Sequence, residues 1–510
     1  MIVESGGLCV RLGRNGLVRH VVRYAVTSPR SARISRASVG LRSERGPILL
    51  AVMLSTGLVA IDATILAAAI PAIVRDVGGL TQFPWLFSIY LLAQAVSVPI
   101  YGKLADLVGR KPIILLGVLL FVVGSLLCGL AWSMGSLIAF RALQGLGAGA
   151  VQPVGITIVG DIYSVAERAT VQGYIASVWA MASLIGPTLG GIFADYLSWR
   201  WIFLVNLPLG LVAAWMLWTR YDEDLEPARP RPRIDYLGAL LLLTGGGLLL
   251  VALLEGGIFW PWDSAISIAM FTTSAVLIAA FVWVESRVRE PILPLWVFRH
   301  RVVGAAMLTS LVVGVLLLGL TSYVPLFAQG VLGTGAVTAG FALAAMTIGW
   351  PIAATTSGRL YLSIGFRFTM LIGSSIALVG ALLLLTVNAS SPVWWLATPC
   401  FVMGLGFGYV ASPAIVAAQA AVGRKDRGVA TSSSLFARSV GSAVGVAAFG
   451  AIVNHIVSDR LAGAPADLES LPPGVLDPAI HAVFIASAVV AVTLVCAAAL
   501  MPRHVEEVVG

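Results

Sequence analysis

The chain has 510 residues, of which 59% are hydrophobic and 11% are charged, and its formal net charge is +8. Its mean hydropathy of +0.96 excludes a soluble enzyme or binding protein, because it arises from apolar segments long enough to cross a bilayer. The positive charge is spread over short loops without a nucleic-acid-binding motif, so we expect no nucleic-acid partner.

Residues 1–46 form a separate polar and basic segment, in which Glu4 and Glu44 are the only acids. The composition is too polar for a membrane span, and the span that follows carries Asp62 in a motif and is not a removable signal. Two interpretations stay open: a disordered basic tail that rests on anionic lipid, or a start codon placed too early.

Fourteen apolar segments of about 20 residues follow, each long enough to cross the ~30 Å hydrocarbon core as a helix. The sequence therefore predicts an all-α polytopic membrane protein. The predicted spans are 47–71, 82–102, 112–131, 136–160, 170–193, 201–219, 236–255, 265–284, 303–328, 337–357, 368–387, 393–418, 430–454 and 480–501.

Lysine and arginine fall mainly on one side of these spans. With a cytoplasmic N-terminus, 27 of the 32 lie on the cytoplasmic side, three lie in outer loops, and Arg141 and Arg438 lie within spans. The positive-inside rule and the even number of spans then place both termini in the cytoplasm.

Part of the sequence occurs twice. The loop Gly102–Lys111 recurs in degenerate form as Gly358–Arg367, and Gly145–Gly149 recurs as Gly404–Gly408. The copies are eight spans apart, which predicts two related six-helix halves with two extra helices between them and a substrate site at their interface. The predicted divisions are 47–219 and 303–501 for the halves, 220–302 for the linker with the extra helices, and 502–510 for a cytoplasmic tail.

Asp62 and Arg141 are charged residues deep in predicted spans 1 and 4. At 1.5 Å per residue from the outer ends of their spans, they lie at depths of about 15 Å and about 12 Å. A carboxylate there suits a proton carrier, and a static buried pair that fixes packing is the alternative. Gln144 and Gln152 share a helix face with Arg141 and predict a polar stripe toward the interior.

Two further charges lie toward the cytoplasmic side. Asp106 is the one acid in the basic loop Gly102–Lys111, and a salt-bridge latch explains it where the positive-inside bias does not. Arg438 lies in the inner half of span 13, too far from Asp62 to pair with it. It has three interpretations: a substrate contact, a side chain that snorkels to the surface, or part of a latch in the second half.

Span 5 carries small residues at four-residue spacing together with a proline. Ala182, Gly186, Gly190 and Ala194 form a stripe that lets helices approach closely, and Pro187 permits bending. Close packing is one interpretation of this pattern, and a hinge or seal between the halves is the other.

No Walker A sequence, nucleophile elbow or metal-ligand cluster occurs, and the four cysteines are scattered. We therefore expect neither an enzyme nor a bound cofactor, and ATP is not expected to be the energy source.

Five stretches, taken in chain order, have the form of known transporter motifs. They are Ile61–Ile65 with Ala69–Pro71, Gly102–Lys111, Arg141–Gly145, Gly186–Gly191 and Trp199–Pro208. Together they resemble the major facilitator superfamily, and more closely its fourteen-helix drug:proton antiporter family, the EmrB/QacA type. In the second copy, Cys400 matches Arg141 and Leu362 matches Asp106, which argues for proton handling in the first half and against a symmetrical second latch.

The resemblance implies the major facilitator fold and a proton-driven exporter of the bacterial cytoplasmic (inner) membrane that works by alternating access. At the matching positions it implies that Asp62 and Arg141 couple protons. The implied latch residues are Gly102, Asp106, Gly109 and Arg110, and the implied hinge residues are Gly186, Pro187, Gly190 and Gly191.

We assign Gln144, Gln152 and Arg438 to the substrate cavity and expect lipophilic or monocationic small molecules as substrates, with the proton gradient as energy source. Membrane lipid and an accessory protein of the periplasm or cell envelope are further candidate partners. A dedicated exporter of an endogenous lipid, siderophore or metabolite is the alternative function, and a membrane sensor with a transporter fold is a third.

Overall fold

The computed structural model describes residues 39–79, 82–223, 235–257, 260–460 and 472–508. Fourteen helices in this part of the chain are long and apolar enough to cross a membrane, which confirms the predicted number. Numbered in chain order, they are α1 Gly46–Ile65, α2 Trp85–Val108, α3 Arg110–Gly129, α4 Met134–Ile162, α5 Val165–Tyr196, α6 Trp201–Arg220, α7 Tyr236–Glu255, α8 Ala265–Glu285, α9 Arg301–Gly330, α10 Ala336–Ile364, α11 Phe366–Leu384, α12 Val393–Ala420, α13 Arg427–Arg460 and α14 Pro473–Ala499.

Local chemistry sets several helix ends. Ser133 and Ser164 each form a capping box, at the start of α4 and of α5. The joints between α2 and α3 and between α10 and α11 are single glycines, Gly109 with φ 112° and Gly365 with φ 87°. This backbone region favours glycine, and the two residues occupy matching positions of the sequence repeat.

The first span is shorter than its predicted range of 47–71. Helix α1 ends at Ile65, followed by a 3₁₀ turn over Leu66–Ala69 and a short helix over Ile70–Val77. Pro71 explains the difference, because proline lacks an N–H, fits the first turn of a new helix and disrupts a continuing one.

Each half of the chain has its own apolar core. In the first half, Val52, Phe121 and Val154 belong to one buried cluster. In the second half, a larger cluster contains Phe407 and Phe484. Two separately packed bundles follow from this arrangement, as the sequence repeat requires.

The two extra helices pack against the seam between the halves. Leu250 of α7 lies in one cluster with Ala95 and Val96 of α2 and with Ala443 of α13. On the chain between α8 and α9, Glu290 pairs with Lys103 of α2 at 2.9 Å. The hairpin of α7 and α8 is therefore attached to both halves along the α2–α13 seam.

We call the end of the bundle that carries Gly102–Lys111 and Arg424–Arg427 the basic end, and the other the opposite end. Most of the basic tail over 1–46 lies outside the described residues, as does part of the linker, 224–234. The predictions for these segments stay predictions.

Candidate functional site

Asp62 and Arg141 form an ion pair inside the first half. Helix α1 carries the carboxylate and α4 the guanidinium, and Arg141 Nη1 lies 2.6 Å from Asp62 Oδ2. Each side chain is only 1% exposed. The sequence predicted that these residues lie at similar depth, and the structure brings them into contact.

Gln144 completes this pair from the next turn of α4. Its side-chain oxygen accepts from Arg141 Nη1 at 2.7 Å, and its amide donates to Asp62 Oδ1 at 2.8 Å and to Ser125 Oγ at 2.7 Å. Both carboxylate oxygens are therefore hydrogen-bonded. We expected Gln144 to line the substrate cavity, but in this structure it has no exposed surface.

Three residues of this network were not identified from the sequence: Ser125, Asn206 and Tyr90. Asn206 Nδ2 lies 3.5 Å from Asp62 Oδ1 and 3.2 Å from Ser125 Oγ. The guanidinium of Arg141 lies 4.1 Å from the centre of the Tyr90 ring. Asn206 stood within the Trp199–Pro208 motif, so an amide in an apolar span was the available signal.

The network is a buried charge pair, with each side chain 1% exposed. Burying two charges is costly, and the cost is offset only when geometry and additional hydrogen bonds are good, as they are here. Asp62 and Arg141 therefore depend on each other and on Gln144 to remain buried.

A second network joins the halves at the basic end. Asp106, near the end of α2, accepts hydrogen bonds from the backbone N–H groups of Gly428 at 3.0 Å and Val429 at 2.8 Å. These groups start α13, so the carboxylate lies at a helix N-terminus, where negative charge is favoured. Arg110 Nη2 pairs with Asp106 Oδ1 at 2.8 Å and fixes it from the other side.

Asp161, at the end of α4, extends this network and was not identified from the sequence. It lies 2.9 Å from Arg110 Nε and 3.1 Å from Arg427 Nη1. Arg110 also donates to the backbone oxygen of Arg424. Glu223, likewise missed, accepts from the backbone N–H of Arg110 at 2.9 Å.

Two of the predicted latch residues are glycines whose lack of a side chain is required by the backbone arrangement. Gly102 lies against Ser432 and the carbonyl of Gly428, so any side chain there would overlap α13. Gly109 makes the turn between α2 and α3 described above. Gly102, Asp106 and Arg110 thus belong to one contact between the halves, Gly109 shapes the turn beside it, and their role in transport stays a prediction.

The second copy of the loop meets the first half without an acid. Gly358 of α10 packs on Ala169 of α5, and the Tyr361 hydroxyl donates to the backbone oxygen of Val165 at 3.1 Å. Leu362, which replaces Asp106, is 52% exposed. The pseudo-symmetric contact is therefore made by close packing and a neutral hydrogen bond.

Helix α5 passes through the predicted hinge without a break, although Pro187 lies inside it. Gly186 contacts α1: an added Cβ would lie 2.8 Å from Thr64 Cβ. Gly190 is buried, whereas an added Cβ at Gly191 would meet no atom within 4 Å. Thr64 also donates to the backbone oxygen of Ala182 at 3.0 Å, so α5 is bonded to α1 two residues from Asp62.

The remaining two predicted cavity residues lie apart from the Asp62 network. Gln152 of α4 accepts from Gln94 Nε2 of α2 at 3.3 Å and is partly exposed. Arg438 of α13 is also partly exposed, and its side chain has no hydrogen bond or ion pair within the described part of the chain.

Two related helical bundles, with a buried ion pair in one and a polar contact between them at one end, define a membrane transport protein rather than an enzyme. The chain belongs to the Major Facilitator Superfamily, whose family model matches residues 52–446. It is a multi-pass integral membrane protein of the multidrug efflux type within that superfamily.

Curated relatives carry efflux names. "Multidrug resistance protein 3" of Bacillus subtilis (strain 168) is 35% identical over 414 residues, which cover 81% of this chain and 80% of the relative. "Multidrug transporter protein MdtP" of the same strain is 34% identical over 437 residues, covering 85% and 80%. "Efflux pump dotC" of Dothistroma septosporum is 34% identical over 407 residues, covering 79% and 70%.

A solved structure supports the fold. The human organic anion transporter MFSD10 (TETRAN) superimposes with a TM-score of 0.61, covering 88% of this chain and 99% of that chain, at 15% identity. At this identity the likeness shows the fold alone.

Proposed function

We propose that the protein is a proton-coupled exporter of lipophilic small molecules that works by alternating access in the bacterial cytoplasmic membrane. The basic end lies in the cytoplasm, as the positive-inside rule requires. The observation that carries this proposal is the sealed network of Asp62, Arg141 and Gln144, because a membrane-buried carboxylate with a releasable partner is what proton coupling needs.

The distribution of contacts between the halves supports an outward-facing state. In the described chain, the hydrogen bonds and ion pairs that join the two halves lie toward the basic end, and they include the contacts of Asp106 with Gly428 and of Arg427 with Asp161. The latch closes the cytoplasmic side in this state.

The contact between α1 and α5 supports a mechanism in which protonation of Asp62 changes the positions of helices. Protonation of Asp62 removes its attraction for Arg141 and loosens the packing of α1. Thr64 on the same helix is bonded to α5, so a shift of α1 moves a helix that contacts the second half. Opening of the latch then exposes the space between the halves to the cytoplasm, where substrate enters.

The relatives named as multidrug transporters support small lipophilic substrates for this chain. A dedicated exporter of an endogenous lipid, siderophore or metabolite would use the same machinery, and a substrate panel distinguishes the two. A narrow profile with one strongly preferred compound favours the dedicated exporter.

The test is efflux of lipophilic dyes from proteoliposomes under an imposed pH gradient. The wild type is expected to export dye, and Asp62→Asn is expected to abolish uphill export. Asp76→Asn is a matched control, because Asp76 pairs with Arg200 at 2.6 Å on the exposed surface. Undiminished uphill export by Asp62→Asn would show that the proton travels elsewhere, and absence of all flux in the wild type would favour a sensor.

A further inference from the structure

Arg438 is an intramembrane cation that the proton-coupling network does not use. It lies 11 residues after the start of α13 at Arg427, which is about 16 Å along the helix axis and inside the membrane-spanning part of the helix. An arginine at this depth is costly and marks a functional site unless a carboxylate neutralises it.

No carboxylate neutralises Arg438 in the described chain. Arg141 has Asp62, and Arg110 has Asp106 and Asp161, but the Arg438 side chain has neither an ion pair nor a hydrogen bond. It is partly accessible, so its charge is neither paired nor sealed away.

The surroundings of Arg438 exclude an escape to the membrane surface. Its backbone carbonyl contacts Gly314, and Gly441, three residues on, packs against Leu311 of α9. Leu435, three residues earlier, lies in a cluster with Val98 of α2 and Ile415 of α12. This face of α13 therefore points into the protein at the junction of the halves, and the surface is too far for the side chain to reach.

We propose that Arg438 binds the anionic group of the substrate, and that the preferred substrates are lipophilic monoanions such as apolar carboxylates. This inference rests on the proposed export function and assigns its substrate class. A planar guanidinium with free N–H groups matches a carboxylate. The apolar cluster of Leu435, Val98 and Ile415 lies one turn of α13 away and suits a lipophilic body. One unpaired cation neutralises one negative charge, so a dianion would keep a charge unpaired.

The same geometry argues against the monocationic substrates expected from the sequence. That expectation needs a cation to reach Asp62, whose two oxygens are already bonded to Arg141 and Gln144 at 1% exposure. Arg438 would in addition repel a cation in the space between the halves.

Binding of two probes with one apolar body tests the proposal. Pyrenebutyrate and pyrenebutyl-trimethylammonium differ in the sign of their charge, and energy transfer from tryptophan to pyrene reports saturable binding to the purified full-length protein. The variants are Arg438→Gln, Arg438→Lys and, as a matched control, Arg359→Gln at an exposed position of α10.

The wild type should bind the anion more tightly than the cation. Arg438→Gln should weaken anion binding by about tenfold or more and leave cation binding unchanged or improved, while Arg438→Lys keeps most of the affinity. Arg359→Gln should behave as the wild type. Equal loss of both probes in Arg438→Gln and Arg438→Lys, or anion affinity in Arg438→Gln within about twofold of the wild type, would overturn the proposal.

Two further measurements distinguish substrate binding at Arg438 from lipid binding, and the binding proposal from the export proposal. Displacement of pyrenebutyrate by phosphatidylglycerol but not by laurate would assign Arg438 to a lipid headgroup and overturn its role in substrate binding. Absence of gradient-driven export of either probe would contradict the exporter proposal, whereas the binding data would still decide what Arg438 recognises.

Discussion

Asp62 and Arg141 stabilise each other only as a pair, which changes what single substitutions do. Each is 1% exposed, so removal of one partner leaves a buried charge without compensation. An asparagine at position 62 keeps the shape of the side chain and removes its charge. The loss of charge lowers stability, because Arg141 Nη1 would lose its carboxylate partner and keep the neutral side-chain oxygen of Gln144.

Asp62→Asn should therefore lower stability by about 3–5 kcal/mol, and Arg141→Gln by a similar amount. The double variant should regain most of that loss and still fail to export against a gradient. Thermal unfolding of the three purified variants, combined with proteoliposome flux, checks both parts. Additive losses in the double variant would show that the two side chains are not energetically coupled.

Asp76 provides a control for the pH dependence of export attributed to Asp62. Hydrogen bonds from Trp199 and Arg200 hold the pKa of Asp76 below its ordinary value of 3.8. A lowered pKa means that the contribution of this contact is present above the ordinary value and is lost only as the pH falls through the lower folded value. The pH profile of export by Asp76→Asn should match the wild type near neutrality, and a shifted profile would place Asp76 in the coupling path.

Sequence reasoning reached Asp62, Arg141 and Gln144 and missed the neutral side chains packed around them. A charge in an apolar span is conspicuous because it is costly there, which is why Asp62, Arg141 and Arg438 could be selected. Ser125 and Asn206 could not, because neutral polar side chains are common in spans and their role depends on which helices meet. Asp161 was missed because acids near helix ends are usually solvated.

At the scale of elements, the latch and the α1–α5 contact are the two places where helix packing can transmit a change. Asp106 binds the N-terminus of α13 from the other half, and Gly186 lets α5 approach α1 next to Asp62. Both were visible as motifs, but their partners depend on the tertiary fold.

Asp106→Asn should slow turnover by about fivefold or more and change the apparent substrate affinity little, because the latch lies far from a midplane site. Asp222→Asn is the control: its pair with Lys111 is surface-exposed, and such pairs contribute little. Transport kinetics in proteoliposomes measure both. Normal turnover with weakened substrate affinity in Asp106→Asn would contradict the latch.

Gly186→Ala should destabilise the protein by about 1–3 kcal/mol and impair export, because its Cβ would lie 2.8 Å from Thr64 Cβ and force α1 and α5 apart. The same substitution at Gly191 meets no atom within 4 Å and should be nearly neutral. Thermal unfolding and flux of the two alanine variants give a direct comparison, and equal behaviour would remove the α1–α5 contact from the mechanism.

For the molecule as a whole, the number of spans and the repeat were predictable. The lengths of the apolar segments, the positions of lysine and arginine, and the repeated motifs can all be read directly from the sequence. The closure of the basic end was not predictable from the sequence. The inward-open and outward-open states of a transporter differ by only a few kcal/mol, summed over many contacts. The shortened first span also escaped prediction: apolar residues continue past Ile65, and only the effect of Pro71 on the helix ends it.

Topology gives a further prediction at this scale. In a variant without native cysteines, Ser390→Cys between α11 and α12 should be labelled from outside the cell, and His504→Cys in the C-terminal segment only after permeabilisation. Membrane-impermeant maleimide in intact cells makes the measurement. Labelling of the two positions from the same side would contradict the fourteen-span arrangement.

If substrate export is exchanged for proton entry through Asp62, substrate flux must follow the pH difference across the membrane. The most direct measurement is substrate flux in proteoliposomes that start with equal substrate on both sides, while the imposed pH difference is varied in size and sign. For the wild type, net flux should run toward the more acidic side and reverse when the pH difference reverses, and for Asp62→Asn it should be absent at every pH difference. Net flux in the wild type that is independent of the sign of the pH difference would contradict the exchange of substrate for protons.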